Sequence, residues 1–139
     1  MDEMKVQTTL NPSLRSRAGL KPEELAGYKQ GAQLRLKREE RKLAQRQKQA
    51  WEMARASAKV LKEQFGASRV WVFGSLAHNA WWTRRSDIDL AVEGLVPGKI
   101  WRAWCAVERV CQGFEVDLVE IEAASELLRQ AIFEEGVLI

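Results

Sequence analysis

From Leu25 to Phe65 the chain contains no proline, and Ala, Leu, Lys, Arg, Gln and Glu dominate a stretch too long for any other regular element. Pro22 followed by Glu23 and Glu24 suits a first helical turn, where a missing amide costs nothing and acidic groups favour the dipole. The pattern predicts one long helix ending at Gly66, with Gly27 and Gly31 weakening its first turns. In its second half Trp51, Ala54, Ala58, Leu61 and Phe65 recur every three or four residues, an apolar stripe that should pack on a domain. Its first half is different. Between Lys29 and Lys48 it is mostly charged, with Lys37, Arg38, Arg41, Lys42, Arg46 and Lys48 against Glu39 and Glu40, while Leu36, Leu43 and Ala50 keep a thin seven-residue spacing. That suits a solvated arm, or a surface for an acidic partner or nucleic acid.

Beyond Gly66, short β-like runs alternate with helical ones. Val70 to Phe73 reads as a first strand, Leu76 to Trp81 as a short helix-compatible piece, and Asp87 to Val92 as a second strand. Lys99 to Cys111 places Ile100, Trp104, Val107 and Cys111 on one helical face. Val116 to Ile121 follows as a third strand, and Ser125 to Glu135 as a final helix, capped by Gly136, with Leu128, Ile132 and Phe133 as its inward candidates. This order argues a small α/β domain with a three-stranded sheet. The expected division is a mobile tail over 1–20, a long helix over 21–65 and the domain over 66–139.

The 139 residues are enough for one ordinary domain. Residues 1–50 hold 12 Lys and Arg against 6 Asp and Glu, net +6, and residues 51–139 hold 10 against 13, net −3. The basic character thus belongs to the first third. No apolar run reaches the roughly 18 residues that would span a bilayer, and the start of the chain lacks the apolar core of a secretory signal, so a cytoplasmic protein is expected. Cys105 and Cys111, with one histidine in the chain, suggest neither zinc nor a disulfide framework and are expected to be buried thiols.

Chemistry concentrates at two places. The first strand exits into Gly74-Ser75, where a glycine lets a polyanion approach the backbone and a serine adds a hydroxyl and an amide. Eleven residues later comes Ser86-Asp87-Ile88-Asp89-Leu90. Asp87 and Asp89 are two apart and project from one face of a strand. At about 4 Å and an effective dielectric near 20 they repel by roughly 4 kcal/mol, which a divalent cation would reverse. A strand end whose aspartates start a turn would carry the same pair. Asp117 stands in the third strand, and if the second and third strands are neighbours it joins Asp87 and Asp89. Three carboxylates and a phosphate-binding turn are what two-metal nucleotidyl transfer requires, with Mg²⁺ as the ion that oxygen ligands and phosphates select.

Over about residues 68–139 the chain resembles the minimal nucleotidyltransferases of the DNA polymerase beta-like superfamily. The resemblance runs through Val72-Phe73-Gly74-Ser75, Ser86-Asp87-Ile88-Asp89-Leu90, Val116-Asp117-Leu118-Val119 and Glu135-Gly136-Val137-Leu138. It implies a polymerase beta-like α/β core with a three-stranded mixed sheet flanked by helices. It also implies that Gly74 and Ser75 bind the triphosphate of ATP, that Asp87 and Asp89 hold two Mg²⁺ ions, and that Asp117 is the third carboxylate. Family members of this size are often antitoxins encoded beside a HEPN-domain ribonuclease toxin, and some transfer AMP to a toxin tyrosine.

The family's usual Arg-Gly pair after Gly-Ser is replaced here by Leu76-Ala77-His78-Asn79, and Arg84 or Arg85 would supply the missing positive charge. His78 reads as a phosphate contact or as a lone surface histidine. Trp51, Trp71, Trp101 and Trp104 fall in periodic segments and are expected in packing, whereas Trp81 and Trp82 share a loop and cannot readily both be buried. Two functions compete: an enzyme that modifies a bound toxin, and a catalytically impaired relative that neutralises the toxin by contact alone. Nucleic-acid binding by the basic helix is a third and weaker possibility.

Overall fold

The computed structural model describes residues 19–139, so most of the expected tail lies outside the described residues. Helix α1 runs Pro22–Phe65, straight through Gly27 and Gly31, since neither meets a crowded neighbour and the surrounding residues are strong helix formers. It ends where Gly66 takes φ +75°, and the Ala67 amide reaches back to the Leu61 carbonyl at 3.0 Å. The chain forms two compact units, one up to Arg41 and one over Lys42–Ile139. In the first unit, Tyr28, Leu34 and Leu36 are exposed on the helix.

In the second unit, four strands follow: β1 (Arg69–Phe73), β2 (Ile88–Glu93), β3 (Val116–Glu120) and β4 (Val137–Leu138). The sheet order is β3-β2-β1-β4. β1 is antiparallel to β2 and β4, and β2 is parallel to β3 through the crossover helix α2 (Ile100–Val110). The expected three strands are therefore four. Val137 and Leu138 are too short a run to read as a strand in sequence, but they pair with Val72 and Trp71 once helix α3 (Glu126–Glu135) returns the chain to the β1 edge. Gly136 caps α3 as expected, its amide donating to the Ile132 carbonyl at 2.8 Å with φ at −73°, and its lack of a Cβ lets the Ile132 and Val72 carbonyls close around it.

Strand alternation divides the core. Val70, Val72, Ile88, Leu90, Val92 and Leu118 face Ala50, Ala54, Ala58 and Leu61 of α1 and Ala103, Val107 and Cys111 from α2 and its end. The opposite face carries Trp71, Ala91, Ile121 and Ile132, with Phe73 and Leu128 against them. Phe133 stays half exposed, edge-on to Trp71 at 5.3 Å between ring centroids.

Two packing expectations are corrected. Cys105 is exposed because it points off the buried face of α2, and only Cys111 is buried, where burial pushes its thiol up and Ser57 at 3.2 Å pulls it partly back. Trp101 is 73% exposed and stacks on Trp104, which itself packs on the core and donates its indole N–H to the Val116 carbonyl at 3.2 Å, while Ala103 and Val107 are the fully buried residues of the helix.

Candidate active site

The site is assembled at one end of the sheet, on the face away from α1. Ile88 and Leu90 are buried in the main core, so the alternate residue Asp89 must point to the other face. In the parallel pairing Asp89 lies opposite Asp117, and in the antiparallel pairing it lies opposite Phe73, the last residue before Gly74. Asp87 sits just ahead of β2, and the Glu115 carbonyl accepts the Ile88 amide at 2.9 Å, locking the start of β2 beside the approach to β3.

Electrostatics report the same clustering. Asp89 is half-buried, and its carboxyl is pushed up to about 6, first by desolvation and then by the charges of Asp117 and Asp87. Gly74 has φ +69°, and a Cβ placed there would run into the Asp89 carboxylate, with Asp89 Cγ at 3.1 Å. Glycine is thus needed twice, for the backbone conformation and for the close approach of an acid.

Ser75 lies in a 3-10 turn, Gly74–Leu76, and its hydroxyl has no hydrogen-bond partner among the described residues. The expected helical piece from Leu76 to Trp81 is instead two 3-10 turns, Gly74–Leu76 and Asn79–Trp81, because His78 between them is extended. A long aligned dipole is therefore not what would hold an anion here. The local amides and the glycine's open backbone are.

The segment between the two motifs is pinned at several points. Trp82 is buried and donates its indole N–H to the Leu43 carbonyl at 3.2 Å, while Trp81 remains 59% exposed. Gln47 Nε2 donates to Asn79 Oδ1 at 2.6 Å. His78 lies against Trp81 at 4.3 Å between ring centroids and turns Nε2 towards Glu135 at the end of α3 at 3.4 Å, without a hydrogen bond at that nitrogen. Ser86, a buried polar residue that the site reading passed over, accepts the Thr83 amide at 2.8 Å and closes the turn ahead of Asp87. A Thr and a Ser three apart before the acidic pair were the available signal. The Arg84 and Arg85 side chains are exposed, with no hydrogen bond or ion pair among the described residues.

Among the described residues no three His, Cys, Asp or Glu side chains stand close enough to cage a metal by themselves. The donor set nevertheless suits a hard cation of the Mg²⁺ type. It offers only carboxylate oxygens, one group held against its own ionisation by burial and then by its neighbours, and Mg²⁺ commonly takes one or two carboxylates and completes its shell with water and phosphate.

A sequence profile for "Polymerase beta, Nucleotidyltransferase" matches residues 57–139. The chain belongs to that family. No curated protein sequence matches it. Among solved structures, a toxin-antitoxin with AMP-PNP is 27% identical over 58% of this chain and 66% of the other, with a TM-score of 0.50. The chain thus spans just under two thirds of that relative. A tri-AMPylated Shewanella oneidensis HEPN toxin in complex with an MNT antitoxin aligns at 22% identity over 64% of this chain and 70% of the other, with a TM-score of 0.50, a likeness in fold alone. No helix among the described residues is long and apolar enough to cross a membrane.

Proposed function

We propose that this nucleotidyltransferase-family chain is an antitoxin that uses ATP and Mg²⁺ to transfer AMP to a tyrosine hydroxyl of a cognate HEPN ribonuclease toxin in the cytoplasm. One observation carries the catalytic part: Asp89, in register with Asp117 and coupled to Asp87, forms a crowded carboxylate face directly against Gly74. The family profile supports the reaction class, and the 27% identical toxin-antitoxin with AMP-PNP supports the adenine nucleotide and the kind of partner. In this reading 66–139 is the catalytic domain, with α1 preceding it.

Asp87, Asp89 and Asp117 would hold two Mg²⁺ ions, which when bound supply charge neutralisation at the phosphates and a more acidic acceptor hydroxyl. Gly74 and Ser75 offer amides and a hydroxyl to the triphosphate, and the guanidiniums of Arg84 and Arg85, just ahead of Asp87, would supply positive charge to it. The tyrosine oxygen attacks the α-phosphorus in line, and the bond from that phosphorus to the bridging oxygen of the β-phosphate breaks. Pyrophosphate leaves, and the hydroxyl proton passes to Asp117, the more exposed member of the Asp89–Asp117 pair.

The test is to incubate the protein with α-labelled ATP, Mg²⁺ and the product of the neighbouring gene, beside Asp87→Asn/Asp89→Asn. Label should appear on the toxin with the native chain alone. Equal labelling by the variant, or neutralisation with no labelling by either, would reject the reaction and leave an antitoxin that acts by contact.

A further inference from the structure

The second half of α1 carries a feature that nucleotidyl transfer does not use. Lys48, Trp51, Arg55, Lys59 and Lys62 recur at spacings of three and four, so they share one helical face over about 20 Å of axis. On this face lies an open groove of about 400 Å³, lined by Gln47, Lys48, Trp51, Glu52 and Arg55 from α1 and by Asn79 from the loop after Gly74-Ser75. Trp51 packs against the main core, as the periodicity implies, without being fully buried. It stays half-buried at the edge, with the Arg55 guanidinium 5.4 Å from its ring centroid. Two residues past Asn79, Trp81 is 59% exposed, backed by the His78 ring.

We propose that this groove binds single-stranded nucleic acid. Lys48 and Arg55 are exposed and form no ion pair among the described residues, so both charges are open to phosphates, and Lys59 extends the track along the same face. Glu52 on the rim removes one charge and leaves the face net positive. Trp51 lines the groove with Asn79, the exposed Trp81 follows two residues along the loop, and the Gln47–Asn79 amide pair presents donors and acceptors in the groove wall. Cations interleaved with partly exposed aromatics are the footprint of strand binding, in which bases stack and phosphates pair. A surface meant only for an acidic protein would need the charges but not a ring and amides lining the groove beside them. The groove lies wholly within Lys42–Ile139 and does not depend on the basic first half of α1.

The test uses the full chain and a fluorescein-labelled 12-nucleotide single-stranded RNA, titrated by fluorescence anisotropy at several salt concentrations. Lys48→Gln/Arg55→Gln should weaken binding and reduce the salt slope by about 1.4, the share of two phosphate contacts on a single strand. Trp81→Ala, at an exposed position, should weaken binding about fivefold or more with little change in slope. Trp51→Leu should do the same, with its fold checked by thermal melting. Absence of binding, or binding that none of these variants changes, overturns the proposal. So does competition by polyglutamate as effective as by unlabelled RNA together with neutral tryptophan variants, which would mark the face as a dock for an acidic protein.

Discussion

The backbone of Gly74 lies against the carboxylate of Asp89, so that even a methyl group at position 74 would overlap it. The Gly74-Ser75 turn and the acidic strand are therefore one packed unit rather than two motifs. Gly74→Ala should cost about 2–4 kcal/mol, part from a left-handed φ of +69° and part from the clash. In an Asp89→Ala background only the backbone share should remain, about 1–2 kcal/mol. Urea unfolding of the four proteins measures the difference, and strict additivity would contradict the contact.

The crowding at Asp89 makes a pH prediction. Its folded-state value of about 6 lies above the ordinary 3.8, so the unfolded chain gives up this proton first as pH rises. Without metal, this group's contribution to stability falls between about pH 4 and 6 and stays reduced above. Asp89→Asn should then be more stable than the native chain at pH 7.5, by about 1–2 kcal/mol after discounting for solvent screening of a half-exposed group. The gap should close towards pH 4. Added Mg²⁺ should stabilise the native chain and leave the variant nearly unchanged, as thermal melting with and without the ion would show.

Trp82 anchors the loop that carries His78, Asn79 and the two arginines. Trp82→Phe removes its hydrogen bond to the Leu43 carbonyl, which lies mid-helix and keeps its intrahelical bond, at a cost of about 0.5–1.5 kcal/mol. Amide hydrogen exchange over residues 77–86 should accelerate more than exchange in β1 and β2. Uniform acceleration across the sheet would show that Trp82 supports the core rather than the loop.

Gly136→Ala should detach β4. The new methyl group would meet the Ile132 carbonyl at the end of α3, with the Val72 carbonyl 3.3 Å away. A loss of about 1–3 kcal/mol is expected from this overpacking, with faster exchange at Ile139, whose amide donates to Val70. Gly98→Ala is the contrast: its φ is +80° but open space surrounds it, so only the backbone share of about 1–2 kcal/mol applies.

The helix over 22–65, the strands at Val70, Ile88 and Val116, and the crossover helix were all readable, because each is set by local periodicity and local breakers. That Asp117 stands beside Asp89 was readable as well, once the second and third strands were taken as neighbours. Trp101 and Cys105 were not, since a helical face tells which residues align and not how deep they sit. Ala103 and Val107 win the contact with the sheet by being small enough to bring the helix close.

By itself the sequence determined the order of elements and the identity of the acids, because spacing two apart on a strand fixes one face and a glycine after a strand fixes a turn. Tertiary structure alone decided that Asp89 meets Asp117 in register, that Gly74 gives way to the Asp89 carboxylate, that Val137 and Leu138 complete a fourth strand, and that Trp82 is buried while Trp81 is not. Each of these depends on which distant segments share a boundary. That is settled by burying the apolar faces of α1, α2 and α3 on one sheet, a global balance that no local stretch of residues encodes.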